Sequence, residues 1–143
     1  MSFTLDVAAF VEKAKKNPET VMRAVTLKLF SAIIKASPVD TGRFRMNWQV
    51  SDSQPATGTI DGFDKTGANA TGRVTGFVTG NQAWNEFTLT NNLSYAEVIE
   101  FGGYSGDGPN TVGGFSRQAP QGVVRVNIAR FNKLLSEEAA KVK

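Results

Sequence analysis

An α+β fold is what the 143-residue sequence predicts, from three observations. Helical periodicity occupies both ends of the chain, period-2 alternation occupies parts of the middle, and Gly-rich stretches mark the changes between them. The expectation is N-terminal helices, an antiparallel sheet of about three or four strands and a C-terminal helix, in one domain over residues 1–143.

The elements follow in order. Residues 5–16, LDVAAFVEKAKK, set Leu5, Ala8, Ala9 and Phe10 along one side of a short amphipathic helix. Asn17-Pro18-Glu19 then supplies a helix cap, a proline at the first helical position and an acid in the first turn. That helix runs from about 18 to 36 and stops because Pro38 disfavours helical geometry at Ser37. Val21, Met22, Val25, Leu29 and Ile33 share one arc, and Leu27, Phe30 and Ile34 widen it to roughly two-thirds of the wheel, beyond the stripe one sheet face needs. Either the domain covers this helix on two sides, or Leu27, Phe30 and Ile34 meet a neighbouring subunit.

A corner at Pro38, Asp40, Thr41 and Gly42 leads into Phe44, Met46, Trp48 and Val50, which alternate with polar residues and predict a strand. Residues 52–72 lose that period and read as a long mobile loop. Strands are expected again at 73–79 and 84–90, the latter closed by Asn91-Asn92. Ser94 can cap a short helix over YAEVIEFG, with Tyr95, Val98 and Ile99 inward and Gly102 at its end. A second Gly-rich loop spans 102–114. The final helix has Pro120 in its first turn, a stripe of Val124, Ile128, Phe131 and Leu135, and Arg130, Lys133, Glu137 and Glu138 outside.

Composition narrows the chemistry. The chain has no cysteine and no histidine, so disulfides, thiolate nucleophiles and the usual general base and metal ligand are all missing. No apolar run reaches the ~20 residues of a membrane span, and a basic-then-apolar leader is lacking, so synthesis and folding in the cytoplasm are expected. The net charge of +3 is unevenly spread: residues 1–35 and 102–143 each carry six positive and three negative charges, whereas 61–101 carry two and five. A basic end against an acidic middle suits association between unlike faces, while a nucleic-acid binder would concentrate its cations in a patch.

The short motifs argue against catalysis. Asp40-Thr41-Gly42 matches the aspartic-protease tripeptide, but that chemistry needs two carboxylates sharing a proton, and Arg43 would hold Asp40 ionised. The turn reading instead has Asp40 accepting backbone N–H bonds, so Asp40→Asn is expected to cost stability, where a hydrolase would lose turnover with its fold intact. Asp64-Lys65-Thr66-Gly67 matches the phosphorylated aspartate motif of ion-pumping ATPases, which require further domains and a membrane region. Glu97 and Glu100 are three apart on a helix without a third ligand type, and the Gly-Gly pairs are not followed by a phosphate-loop lysine. No catalytic residue, cofactor or metal is expected.

Three stretches together resemble the tail-completion or neck proteins of long-tailed bacteriophages. They are SPVDTGRFR with Asn47-Trp48 after a long helix; TNNLSYA with Asn92 and Tyr95, leading to Ile99-Glu100-Phe101-Gly102; and SRQAPQGVVR with Gln118, Ala119 and Pro120. Their order covers roughly residues 18–140, and residues 103–115 depart from the pattern as a Gly-rich insertion. The resemblance implies a non-enzymatic virion protein. Such a subunit would form a homo-oligomeric ring around the DNA channel, between a head-side connector or adaptor and a tail terminator or tail tube. It implies passage of DNA without specific binding and no membrane; the loops at 52–72 and 103–115 are candidate docking surfaces on a separate ground, because such loops can order on binding. A small basic nucleic-acid-binding protein is the competing reading.

Overall fold

The computed structural model describes residues 1–6, 18–80 and 86–141, and its architecture is α+β. Strand β1 (Ser2–Asp6) is followed by α1 (Pro18–Ala36), the short helix α2 (Arg43–Met46) and strand β2 (Gln49–Ser51). Then come α3 (Ala68–Gly80), β3 (Glu86–Thr90), α4 (Ala96–Phe101), the small strands β4 (Thr111–Val112) and β5 (Phe115–Ser116), α5 (Val124–Ile128) and α6 (Phe131–Lys141). The main sheet is antiparallel with order β1-β3-β2, and β4 pairs with β5 in a separate hairpin. Register places Leu89 opposite both Phe3 and Val50, so apolar side chains from all three strands share one face.

That face packs on α1. Phe3 meets Phe30 edge-on with ring centroids 5.4 Å apart. α1 lies against α3 and α6 as well, and this explains its wide apolar arc. Phe30 and Ile34, expected as candidate subunit contacts, are fully buried within the chain itself, and Leu27 is half-buried against the same core. The chain itself covers Phe30 and Ile34, while Leu27 keeps part of its surface exposed. Each such buried side chain contributes about 1.5–3 kcal/mol of transfer free energy.

Several sequence expectations are corrected. The helix expected over 5–16 falls mostly outside the described residues, and Leu5 belongs to β1. The strand expected from Phe44 to Val50 is a turn of helix, α2, with only Gln49–Ser51 extended. Phe44 and Trp48 are four apart, so their alternation also satisfies a helical turn; their rings meet edge-on at 5.6 Å. The strand expected at 73–79 is the C-terminal part of α3, which also takes residues 68–72 from the expected loop. Ala70, Val74 and Val78 recur every fourth residue and are fully buried, which decides the matter against the β-branched composition.

The chain's last helix is broken. Pro120 precedes it in an isolated bridge with Gly122, and the helix begins only at Val124. Val124, Phe131 and Leu135 point inward as expected, but Ile128 is exposed and Asn127 takes the buried place beside it. Asn127 Nδ2 donates to the Val123 carbonyl (2.7 Å), and a turn at residues 129–130 separates α5 from α6. Glu138, expected outside, is buried between Lys28 and Lys141 and ion-paired to both. The segment 102–114 carries β4 and the turn that joins it to β5; that turn, at Gly113-Gly114, uses φ of 59° and 86°, the geometry of a two-residue turn that glycine adopts without strain.

Candidate functional site

The corner after α1 is built by its neighbours in space. Ser37 ends the helix and accepts the Trp48 indole N–H on its hydroxyl (2.8 Å), fixing the fully buried Trp48 under the turn. Arg45 donates to the carbonyls of Lys35 (2.7 Å) and Ser37 (3.0 Å), neutralising the C-terminal end of α1. Gly42 has φ 96°, and its backbone lies so near Asp64 and Lys65 that a Cβ would sit 2.7 Å from both amide nitrogens. The Gly42 carbonyl accepts the N–H groups of Met46 and Asp64, each at 3.0 Å. Glycine is required here by both conformation and space.

The remaining corner residues behave differently from expectation. Asp40 is exposed, and the local backbone bond falls to Thr41, whose hydroxyl accepts the Arg43 N–H (3.3 Å). Asp64 is buried, and its carboxylate accepts the Ala70 N–H (2.9 Å) at the start of α3. Asn47, buried, holds Ile60 through both backbone groups, accepting its N–H (2.7 Å) and donating to its carbonyl (3.0 Å). Asn92 donates to the carbonyls of Ala56 and Gly58, both at 2.9 Å, so residues 56–60 are tied down from two sides.

The three segments singled out in the sequence meet around one cleft of about 500 Å³. Residues 38–44 form one wall, Tyr95 and Ile99 the next, and Tyr104, Asn110, Thr111, Ser116 and Gln118 the third. Gln118 joins the first wall to the last as a strand would: its amide accepts the Val39 N–H (2.8 Å) and donates to the Val39 carbonyl (2.9 Å). Phe44 and Tyr95 rings lie 6.0 Å apart at the base of the junction. Burial raises the Tyr95 phenol above its ordinary pKa, Arg43 draws it back down, and Tyr104 and Asp40 push it further up. Asp40 and Arg43 both stand exposed at this cleft, and among the described residues no ion pair joins them.

Behind the cleft, Glu100 links the second segment to the third. Its carboxylate accepts the N–H groups of Val123 (2.8 Å), Val124 (2.8 Å) and Arg125 (2.9 Å), and the Arg125 side chain at 3.0 Å. Burial alone would raise its pKa, but these donors outweigh burial and hold the carboxyl below its ordinary value. Gly122 must be small, because a Cβ would lie 2.6 Å from the Glu100 carbonyl. Gly102 ends α4 against the Phe115 ring, Ala119 is buried, and Pro120 is exposed. Among the described residues no group of three or more carboxylates stands as a metal site.

Sequence reading located the corner, Tyr95, Glu100 and Gln118 but missed their partners. Arg45 and Asn47 reach backbone groups 8 to 20 residues away, Asp64 holds the start of the next helix, and no local pattern signals such bonds. Comparison with protein-family models, curated proteins and solved structures found no match to this chain.

Proposed function

We propose that this chain is a ring-forming neck or tail-completion subunit of a tailed bacteriophage virion, joining the capsid connector to the tail around the DNA channel. The observation that supports this reading is convergence. The three stretches that carry the resemblance lie far apart in sequence, yet Gln118 holds Val39, Tyr95 meets Phe44 and Glu100 holds Val123–Arg125. Side chains in these stretches are committed to one shared unit, as a motif set retained for one architecture would be. On this reading the subunit works by contact: one face toward the head-side connector or adaptor, the other toward a tail terminator or tube, with DNA passing through the lumen. No helix among the described residues is long and apolar enough to cross a membrane.

The test is reconstitution. Purified protein mixed with the connector and tail proteins encoded beside it is expected to form rings visible by electron microscopy at the head–tail junction. A subunit that stays monomeric even on its bound partners would overturn the proposal. Gel-shift across salt concentrations separates the competing class: tight binding with a steep salt slope marks a nucleic-acid binder, whereas a channel subunit should grip free DNA weakly.

A further inference from the structure

Phe63 is the most exposed large apolar side chain among the described residues, at 65%. Its backbone is nevertheless held on both sides: Asn47 holds Ile60 before it, and after it Asp64 donates to the Gly42 carbonyl and accepts Ala70 N–H on its carboxylate. Among the described residues nothing stacks on the Phe63 ring, whereas the next most exposed, Phe101, lies under the Arg125 guanidinium at 4.8 Å. A bare aromatic on an ordered support is how interface anchors are presented, because little entropy remains to be lost on binding.

The complementary hollow is on the same molecule. Phe63 does not line its own chain's cleft, whose volume of about 500 Å³ and walls of Val39, Phe44, Tyr95 and Tyr104 suit an aromatic side chain. Charge agrees as well. Exposed Asp61 and Lys65 flank Phe63 two residues away on either side, and exposed Asp40 and Arg43 flank the cleft. Inserted with Asp61 toward Arg43, the loop also sets Lys65 toward Asp40, so both pairs are of opposite sign.

We infer that Phe63 of one copy of this chain docks in the Phe44–Tyr95–Tyr104 cleft of another. This rests on the proposed self-assembling role and supplies its contact. Each copy carries both a knob and a hollow, so the contact either repeats from copy to copy, as a ring requires, or closes reciprocally in a two-fold pair.

The absence of cysteine makes the test direct. Full-length chain bearing Thr66→Cys and Asn110→Cys, which leave Phe63 and the aromatic walls of the cleft intact, is treated with a short bis-maleimide and run on a denaturing gel, beside Thr66→Cys alone. Sedimentation of wild type and Phe63→Ala is followed over a wide concentration range, with melting curves confirming that both are folded. The expected result is a covalent ladder from the double variant only, and self-association at least tenfold weaker in Phe63→Ala. A covalent dimer that extends no further supports the docking and overturns the ring. Equal association of wild type and Phe63→Ala, or equal cross-linking of the single and double variants, overturns the docking and leaves the ring to other contacts. A wild type that is monomeric at every concentration overturns the docking too.

Discussion

A single carboxylate, Glu100, ties the end of α4 to the start of α5. Three backbone donors and the half-exposed Arg125 side chain surround it, so Glu100→Gln should turn an amide N–H₂ toward N–H groups and lose about 2 kcal/mol. The native carboxyl is held below its ordinary pKa, so its stabilisation is complete above the ordinary carboxylate range and fades as pH falls through the depressed native value. Urea midpoints of the two proteins, measured from about pH 7 down to pH 3, should therefore converge on acidification. Two residues of the corner should separate cleanly. Gly42→Ala would force a Cβ against the Asp64 and Lys65 amides and is expected to cost more than about 2 kcal/mol. Asp40→Asn, exposed at the cleft, should change stability by less than about 0.5 kcal/mol, contrary to what the turn motif suggests in sequence. Thermal melts of the two variants test both expectations.

At the level of elements, α3 is the least obvious helix. Gly72, Gly76 and Gly80 recur along it, and Val and Thr fill much of the rest, which favours a strand by propensity. Packing of Ala70, Val74 and Val78 against the core overrides propensity. A Cβ at Gly76 would meet nothing within 4 Å, so Gly76→Ala should stabilise the protein by about 1 kcal/mol, raising Tm by about 3 °C. By contrast α1 and β3 were legible, because Pro18 and Pro38 bracket one and Asn91-Asn92 closes the other. What stayed hidden depends on partners distant in sequence. Period 2 at Phe44–Trp48 could not be told from one helical turn until Gly42 closed on Met46. Asn127 inside and Ile128 outside accompany an interruption of the helix at residues 129–130 that no hydrophobic count registers. For the cleft, turn chemistry identified the corner, helix patterning Tyr95 and the family resemblance Gln118, but the Val39–Gln118 pairing spans 79 residues and has no local signature.

Across the whole molecule, the β4–β5 hairpin is an appendage with adjoining ends. Gly103 donates to the Gly114 carbonyl at 2.8 Å, so excising residues 105–112 behind a short turn should leave the melting temperature within a few degrees. On the proposed function, the same variant should fail in head–tail joining, since it removes Asn110 and Thr111 from the wall of the cleft. Excising residues 52–72, in contrast, removes Asp64 and the first turns of α3 and should prevent folding; circular dichroism of both deletions decides this. The Gln118–Val39 bond pair sets a further limit, on time. A nascent chain exposes Val39 long before Gln118 leaves the ribosome, so the cleft has only part of its wall while synthesis continues. On the proposed docking, copies made on one message cannot engage one another through a complete cleft until Gln118 has emerged from each.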